Sequence, residues 1–87
     1  MFVIDDEWHA EPIGEYASRA EAMAELRRMA ALPWDEHPNK CPCRSWRSCG
    51  RRYRLIEYDC DWRRLNNEAI LDVSAKGTVW LGEMRLG

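Results

Sequence analysis

The clearest periodicity in the chain runs from Ser18 to Leu32. Ala22, Met23, Leu26, Met29 and Ala30 recur at helical spacing, and Glu21, Glu25 and Arg28 fall on the opposite side. Ser18-Arg19-Ala20-Glu21 opens the run as a capping box, in which the hydroxyl and the carboxylate each satisfy an orphan amide. Pro33 closes it, because its ring cannot continue the hydrogen-bond ladder. The pattern predicts one amphipathic helix whose apolar stripe packs on a sheet, in preference to a helix held ready for a partner.

Alternation marks the strands. Met1–Glu7 begins with Phe2, Val3 and Ile4 and predicts a short strand with Phe2 and Ile4 on one face. His9 to Gly14 reads as a connection, punctuated by Pro12 and Gly14. Arg51–Asp59 has Tyr53 and Leu55 on one side and Ile56 and Tyr58 on the other, which suits an interior strand. Cys60–Asn67 reads as a polar connection. Glu68–Ser74 and Thr78–Gly82 flank Ala75-Lys76-Gly77, a hairpin turn with glycine where a positive φ is wanted. The expected order is β-α-β-β-β. It makes an α+β fold with one helix on a mostly antiparallel sheet of about four strands, a single domain over residues 1–87.

Residues 33–50 show no regular pattern. Such a stretch exceeds the roughly 12–15 residues usual for a structureless connection, so something specific is expected to hold it. Trp34, Trp46 and three cysteines argue for a loop packed on the fold, since disordered linkers are poor in such residues.

Composition sharpens this picture. Apolar residues make up 46% of 87 residues, as in a globular domain. Five tryptophans against one phenylalanine either compensate for a small core or form a contact surface. No run approaches the roughly 20 apolar residues of a membrane span. The N-terminus turns acidic at Asp5, unlike a signal peptide. Four cysteines in that setting point to cytoplasmic thiols or metal ligands, not to a disulfide framework. A net charge of −2 conceals segregation: residues 1–39 are acidic, whereas residues 40–64 hold eight Lys or Arg against three acids. The two regions either neutralise one another within the fold or leave a basic face for an anionic partner.

Candidate chemistry concentrates in HPNKCPCRSWRSCGRR, residues 37–52. His37, Cys41, Cys43, Cys49 and Cys60 offer zinc ligands spaced H-x3-C-x-C-x5-C-x10-C. A structural zinc would order the loop, although Cys-Pro-Cys departs from the common C-x2-C knuckle. Without zinc, the cysteines read as small buried hydrophobes and no cofactor is expected. Redox chemistry at Cys-Pro-Cys ranks lower, because the pair does not sit between a strand and a helix as in thioredoxin-like motifs. No catalytic residue is assigned, and the leading reading is a non-catalytic binding or adaptor module.

Its contact surface is expected over residues 44–64, with Arg44, Arg47, Arg51, Arg52, Arg54 and Trp46 meeting a protein or other anionic partner. Arginine interleaved with Trp46, Tyr53, Tyr58 and Trp62 also fits single-stranded nucleic acid, the further alternative. A pI of about 5.7 argues against that alternative.

The run LPWDEHPNKCPCRSWRSCGRRYRLIEYD, with GEYASRAEAMAEL upstream and AILDVSAKGTVW downstream, resembles a family of small bacterial proteins of unknown function. The likeness covers most of residues 2–82. It implies a stand-alone domain in a bacterial cytoplasm and carries no activity, cofactor or catalytic residue.

Overall fold

The structure is a computed structural model that describes residues 1–45 and 47–81. Two strands precede the helix, β1 (Phe2–Asp6) and β2 (Glu11–Tyr16), and α1 spans Arg19–Ala31. Three strands follow it: β3 (Gly50–Tyr58), β4 (Arg64–Ser74) and β5 (Gly77–Trp80). They form one antiparallel sheet in the order β2-β1-β3-β4-β5. The fold is α+β as expected, but the sheet has five strands and the order is β-β-α-β-β-β. Among the described residues no helix is long and apolar enough to cross a membrane.

The additional strand lies where Pro12 and Gly14 suggested a connection. β2 is an edge strand, the place where a residue without an N–H is tolerated in a sheet. Its register with β1 shifts between Ile4 and Asp5, whose partners are Gly14 and Pro12, so Ile13 is an extra residue in a bulge. β4 likewise begins at Arg64, four residues before the expected Glu68. Arg64, Asn66 and Asn67 are polar and Leu65 is itself exposed, so the segment has no buried apolar face to mark it and owes its conformation to pairing with β3. The expected last strand reached Gly82, which lies outside the described residues.

The helix follows its sequence closely. Ser18 is the N-cap and its Oγ accepts the Glu21 N–H at 3.1 Å. Glu21 Oε2 accepts from Ala17 N at 3.1 Å, one residue earlier than the expected reciprocal bond. Ala22, Met23, Leu26 and Met29 are buried against Ile4, Tyr53, Leu55, Leu71 and Val73 of the sheet. At full burial each large apolar side chain contributes roughly 1.5–3 kcal/mol.

The other sheet face is charged. Arg54 donates to both oxygens of Asp5 at 2.9 and 2.7 Å, and Arg52 donates to both oxygens of Asp72 at 2.8 Å. Each pair sits directly opposite across the ladder. The acids of the N-terminal region and of β4 therefore neutralise arginines of β3 within the sheet.

The long loop is tied to the fold at Asn39, which is 1% exposed. Its Nδ2 donates to the carbonyls of Met29, Leu32 and Pro33 at 2.7, 3.2 and 3.2 Å, adding to the Leu32 and Glu36 N–H groups that already reach Met29 and Pro33 where α1 ends. Its Oδ1 accepts from the buried Tyr53 hydroxyl at 2.9 Å. One amide thus joins helix end, loop and central strand. The peptide before Pro38 is cis.

Candidate metal centre

Sheet register explains how the site forms. β1 runs antiparallel to β3 with Asp6 opposite Tyr53, and the ladder continues with the Glu7 N–H donating to the Arg52 carbonyl at 2.9 Å. The turn that follows β1 therefore passes over Arg51, Gly50 and Cys49. Ala10 closes that turn with φ of 51°, a left-handed conformation that turns the chain back into β2. His9 is carried on this turn. From the other side, Asn39 anchors the loop, and Arg51 Nη2 donates to the Lys40 carbonyl at 2.9 Å. Those two contacts fix the backbone just before Cys41, and Cys41 is buried.

The result is a cluster of His9, Cys41, Cys43 and Cys49, whose ligand atoms all lie within 4.8 Å of one another. Cys41 Sγ is 3.0 Å from Cys43 Sγ, and His9 Nε2 is 3.2 Å from Cys49 Sγ. A tetrahedral ion with metal–sulfur bonds of about 2.3 Å needs ligand separations of about 3.5–3.8 Å. Shifts of about 1 Å or less would bring the set to that geometry. All four cysteines are free thiols.

Behind the ligands lies a supporting network. His9 Nδ1 is 2.5 Å from Asp6 Oδ2, and Asp6 is fully buried. A carboxylate only accepts, so the imidazole proton belongs on Nδ1 and the Nε2 lone pair faces the sulfurs. Metal-bound histidines are commonly oriented by such a carboxylate. Asp6 in turn accepts from Arg51 Nη1 at 3.1 Å and from the backbone N–H groups of Trp8 and Arg52 at 3.0 and 3.2 Å. Arg51 Nη1 also donates to Glu11 at 2.5 Å. Arg51 Nε has no partner among the described residues.

The protonation pattern reflects crowding. Burial pushes Cys41 up to about 12, reinforced by its hydrogen bond to Cys43. Cys43 is lowered to about 6, chiefly because Cys41 and then Cys49 hydrogen-bond to its sulfur. Burial alone would lower His9, but hydrogen bonds to Asp6 and Cys43 outweigh it and raise the value. Sulfurs as close as those of Cys41 and Cys43 do not both ionise by themselves, because like charges oppose one another. A divalent cation at the centre would reverse that balance.

Three of the expected ligands, Cys41, Cys43 and Cys49, are in this cluster. His37 and Cys60 are not. Cys60 is exposed in the turn after β3, separated from Cys49 by roughly 30 Å of extended strand. His37 faces the helix side, where it lines clefts with Ile13 and Pro38. The fourth member is His9, which local spacing did not select because it lies 40 residues from Cys49.

The expected contact residues are also dispersed. Arg51 is buried in the support of His9, whereas Arg52 and Arg54 are paired on the charged sheet face. Arg44 and Arg47 are exposed on the loop, and Trp46 lies outside the described residues. Comparison with family models, with curated proteins and with solved structures returned no match, so what the centre does is argued from its own geometry.

Proposed function

We propose that the chain is a small zinc-stabilised, non-catalytic binding domain in which His9, Cys41, Cys43 and Cys49 hold one structural ion. The observation that carries this reading is the convergence of an imidazole and three sulfurs within 4.8 Å, with the imidazole oriented by a fully buried aspartate. Three soft thiolate donors and one nitrogen select zinc over calcium or magnesium, which take oxygen. Four protein ligands complete a tetrahedron and leave no open position for substrate, the mark of a structural site.

The ion would fasten a loop that buries only Asn39 and Cys41 among its described residues. Structural zinc supplies on the order of 10 kcal/mol to the folding of small domains, enough to matter for ordering such a segment. Elemental analysis and native mass measurement on protein purified without chelator test the proposal. One zinc per chain is expected, lost in His9→Ala and in Cys49→Ser. A folded, metal-free chain with residues 40–49 protected from proteolysis would overturn it.

A further inference from the structure

Beside the centre lies a cleft of about 460 Å³, whose lining includes Trp8, Arg47, Cys49, Gly50, Ser74 and Lys76. Its volume falls in the usual range of small-molecule sites, about 300–1,000 Å³. The chain as a whole is acidic, yet no carboxylate is found among the described residues lining this cleft. Two other clefts contain Glu11 and Glu25 respectively.

Two of the walls are held in place. Trp8 is 50% exposed and its ring lies 5.0 Å from the guanidinium carbon of Arg52, which is itself held by both oxygens of Asp72. The indole is thus supported on one side before any ligand arrives. Ser74 Oγ accepts the Lys76 N–H at 3.2 Å and fixes the turn that carries the lysine. At Gly50 an added Cβ would meet the Val73 carbonyl oxygen at 2.6 Å. Only glycine therefore lets the loop approach the β4–β5 turn closely enough to bring Arg47 and Lys76 to one cleft.

A pre-positioned indole beside two cations matches a planar ring carrying a negative group. We infer that this cleft binds a nucleotide, with the base against Trp8 and the phosphate between Arg47 and Lys76. The same chemistry is offered by a free mononucleotide and by one unit of a single strand. The inference goes beyond the zinc reading: Cys49 touches the cleft, but Trp8, Arg47 and Lys76, which would hold the nucleotide, are not metal ligands.

The test is titration of the metal-characterised protein with adenosine monophosphate and, by fluorescence anisotropy, with a labelled dT12 strand in 50 mM salt. Inorganic phosphate and heparin serve as controls. Binding of either nucleotide form is expected, with phosphate alone much weaker. A preference for dT12 identifies a single strand as the source, and equal affinity per nucleotide identifies a free nucleotide.

Lys76→Glu, in an exposed turn, should weaken binding at least tenfold without changing zinc content. Trp8→Ala should weaken it roughly 5- to 150-fold, the range for loss of one stacked base, and Trp8→Phe less. With two phosphate-facing cations, log affinity for dT12 should fall with log salt at a slope of about −1.4. The inference is overturned by no binding of either nucleotide at 1 mM, by equal binding of phosphate or heparin, or by binding that both Lys76→Glu and Trp8→Phe leave unchanged. Zinc content is read on the same samples, so failure here is distinct from failure of the metal reading.

Discussion

Replacing Asp6 by Asn isolates the role of the buried carboxylate, because shape and volume are kept while the charge and one acceptor oxygen are lost. Asp6 is fully buried and receives His9, Arg51 and two backbone N–H groups, two donors on each oxygen. An amide must turn its NH2 toward one of those pairs of donors. In either orientation Arg51, 5% exposed, would lose its buried counter-charge and keep Glu11 as its anionic partner, beside the Lys40 carbonyl. Breaking a buried ion pair by removing one partner costs about 3–5 kcal/mol, and the surviving Glu11 contact places this case near 3.

For a domain of this size that cost corresponds to a drop in Tm of about 12–24 °C. The same change unfixes His9, and loss of such an orienting carboxylate weakens metal binding about 10- to 100-fold. Thermal melts at saturating zinc give the first quantity, and competition with a chromophoric chelator gives the second. Asp5→Asn is the control, since its Arg54 pair is on the open sheet face. There a loss below about 1 kcal/mol and no change in zinc affinity are expected. Zinc affinity within twofold of the parent and Tm within 3 °C in Asp6→Asn would refute the support network.

Three further outcomes are expected. Cys41→Ser should abolish stoichiometric zinc, whereas Cys60→Ser, exposed and remote, should change neither zinc content nor stability by more than about 0.5 kcal/mol. Asn39→Ala and Tyr53→Phe should each cost about 1–3 kcal/mol in denaturant melts by leaving buried groups unpaired, and the double variant should cost clearly less than the sum. In chelated protein, His9 is raised above its value of 6.5 by Asp6, so its stabilisation is present below 6.5 and is lost as pH rises through the higher folded value. Zinc-loaded protein should show the opposite trend in melts across pH 5–8, because the bound imidazole and thiolates must shed their protons.

Local chemistry made the helix readable: Ser18, the Ala22-to-Met29 stripe and Pro33 act within a few residues of one another. The same holds for the hairpin, where Gly77 has φ of 125°. β2 was hidden because Pro12 and Gly14 signal a turn unless the strand is known to be an edge. Cys41, Cys43 and Cys49 stood out by type and spacing, but their partner did not. His9 becomes a candidate only once Asp6 is placed opposite Tyr53, since the pairing of β1 with β3 brings the first turn to the second loop. The one local hint was Asp6 three residues before His9. The arginines of β3 suggested a basic face because sequence shows charge without showing its counter-charge, and Asp5, Asp6 and Asp72 supply it from other strands.

The ligand set comes from two segments that meet only after β1 and β3 have paired. An ion held by this set would therefore sense a finished sheet, and its apparent dissociation constant would equal the intrinsic one divided by the fraction of chains already folded. A core substitution far from any ligand, such as Leu71→Ala, would then weaken zinc uptake without touching the centre. In a zinc-poor medium the occupied fraction would act as a gauge of chain integrity. Damaged copies would be the first to go without metal, and their cysteine-bearing loop would be the first part exposed to proteases.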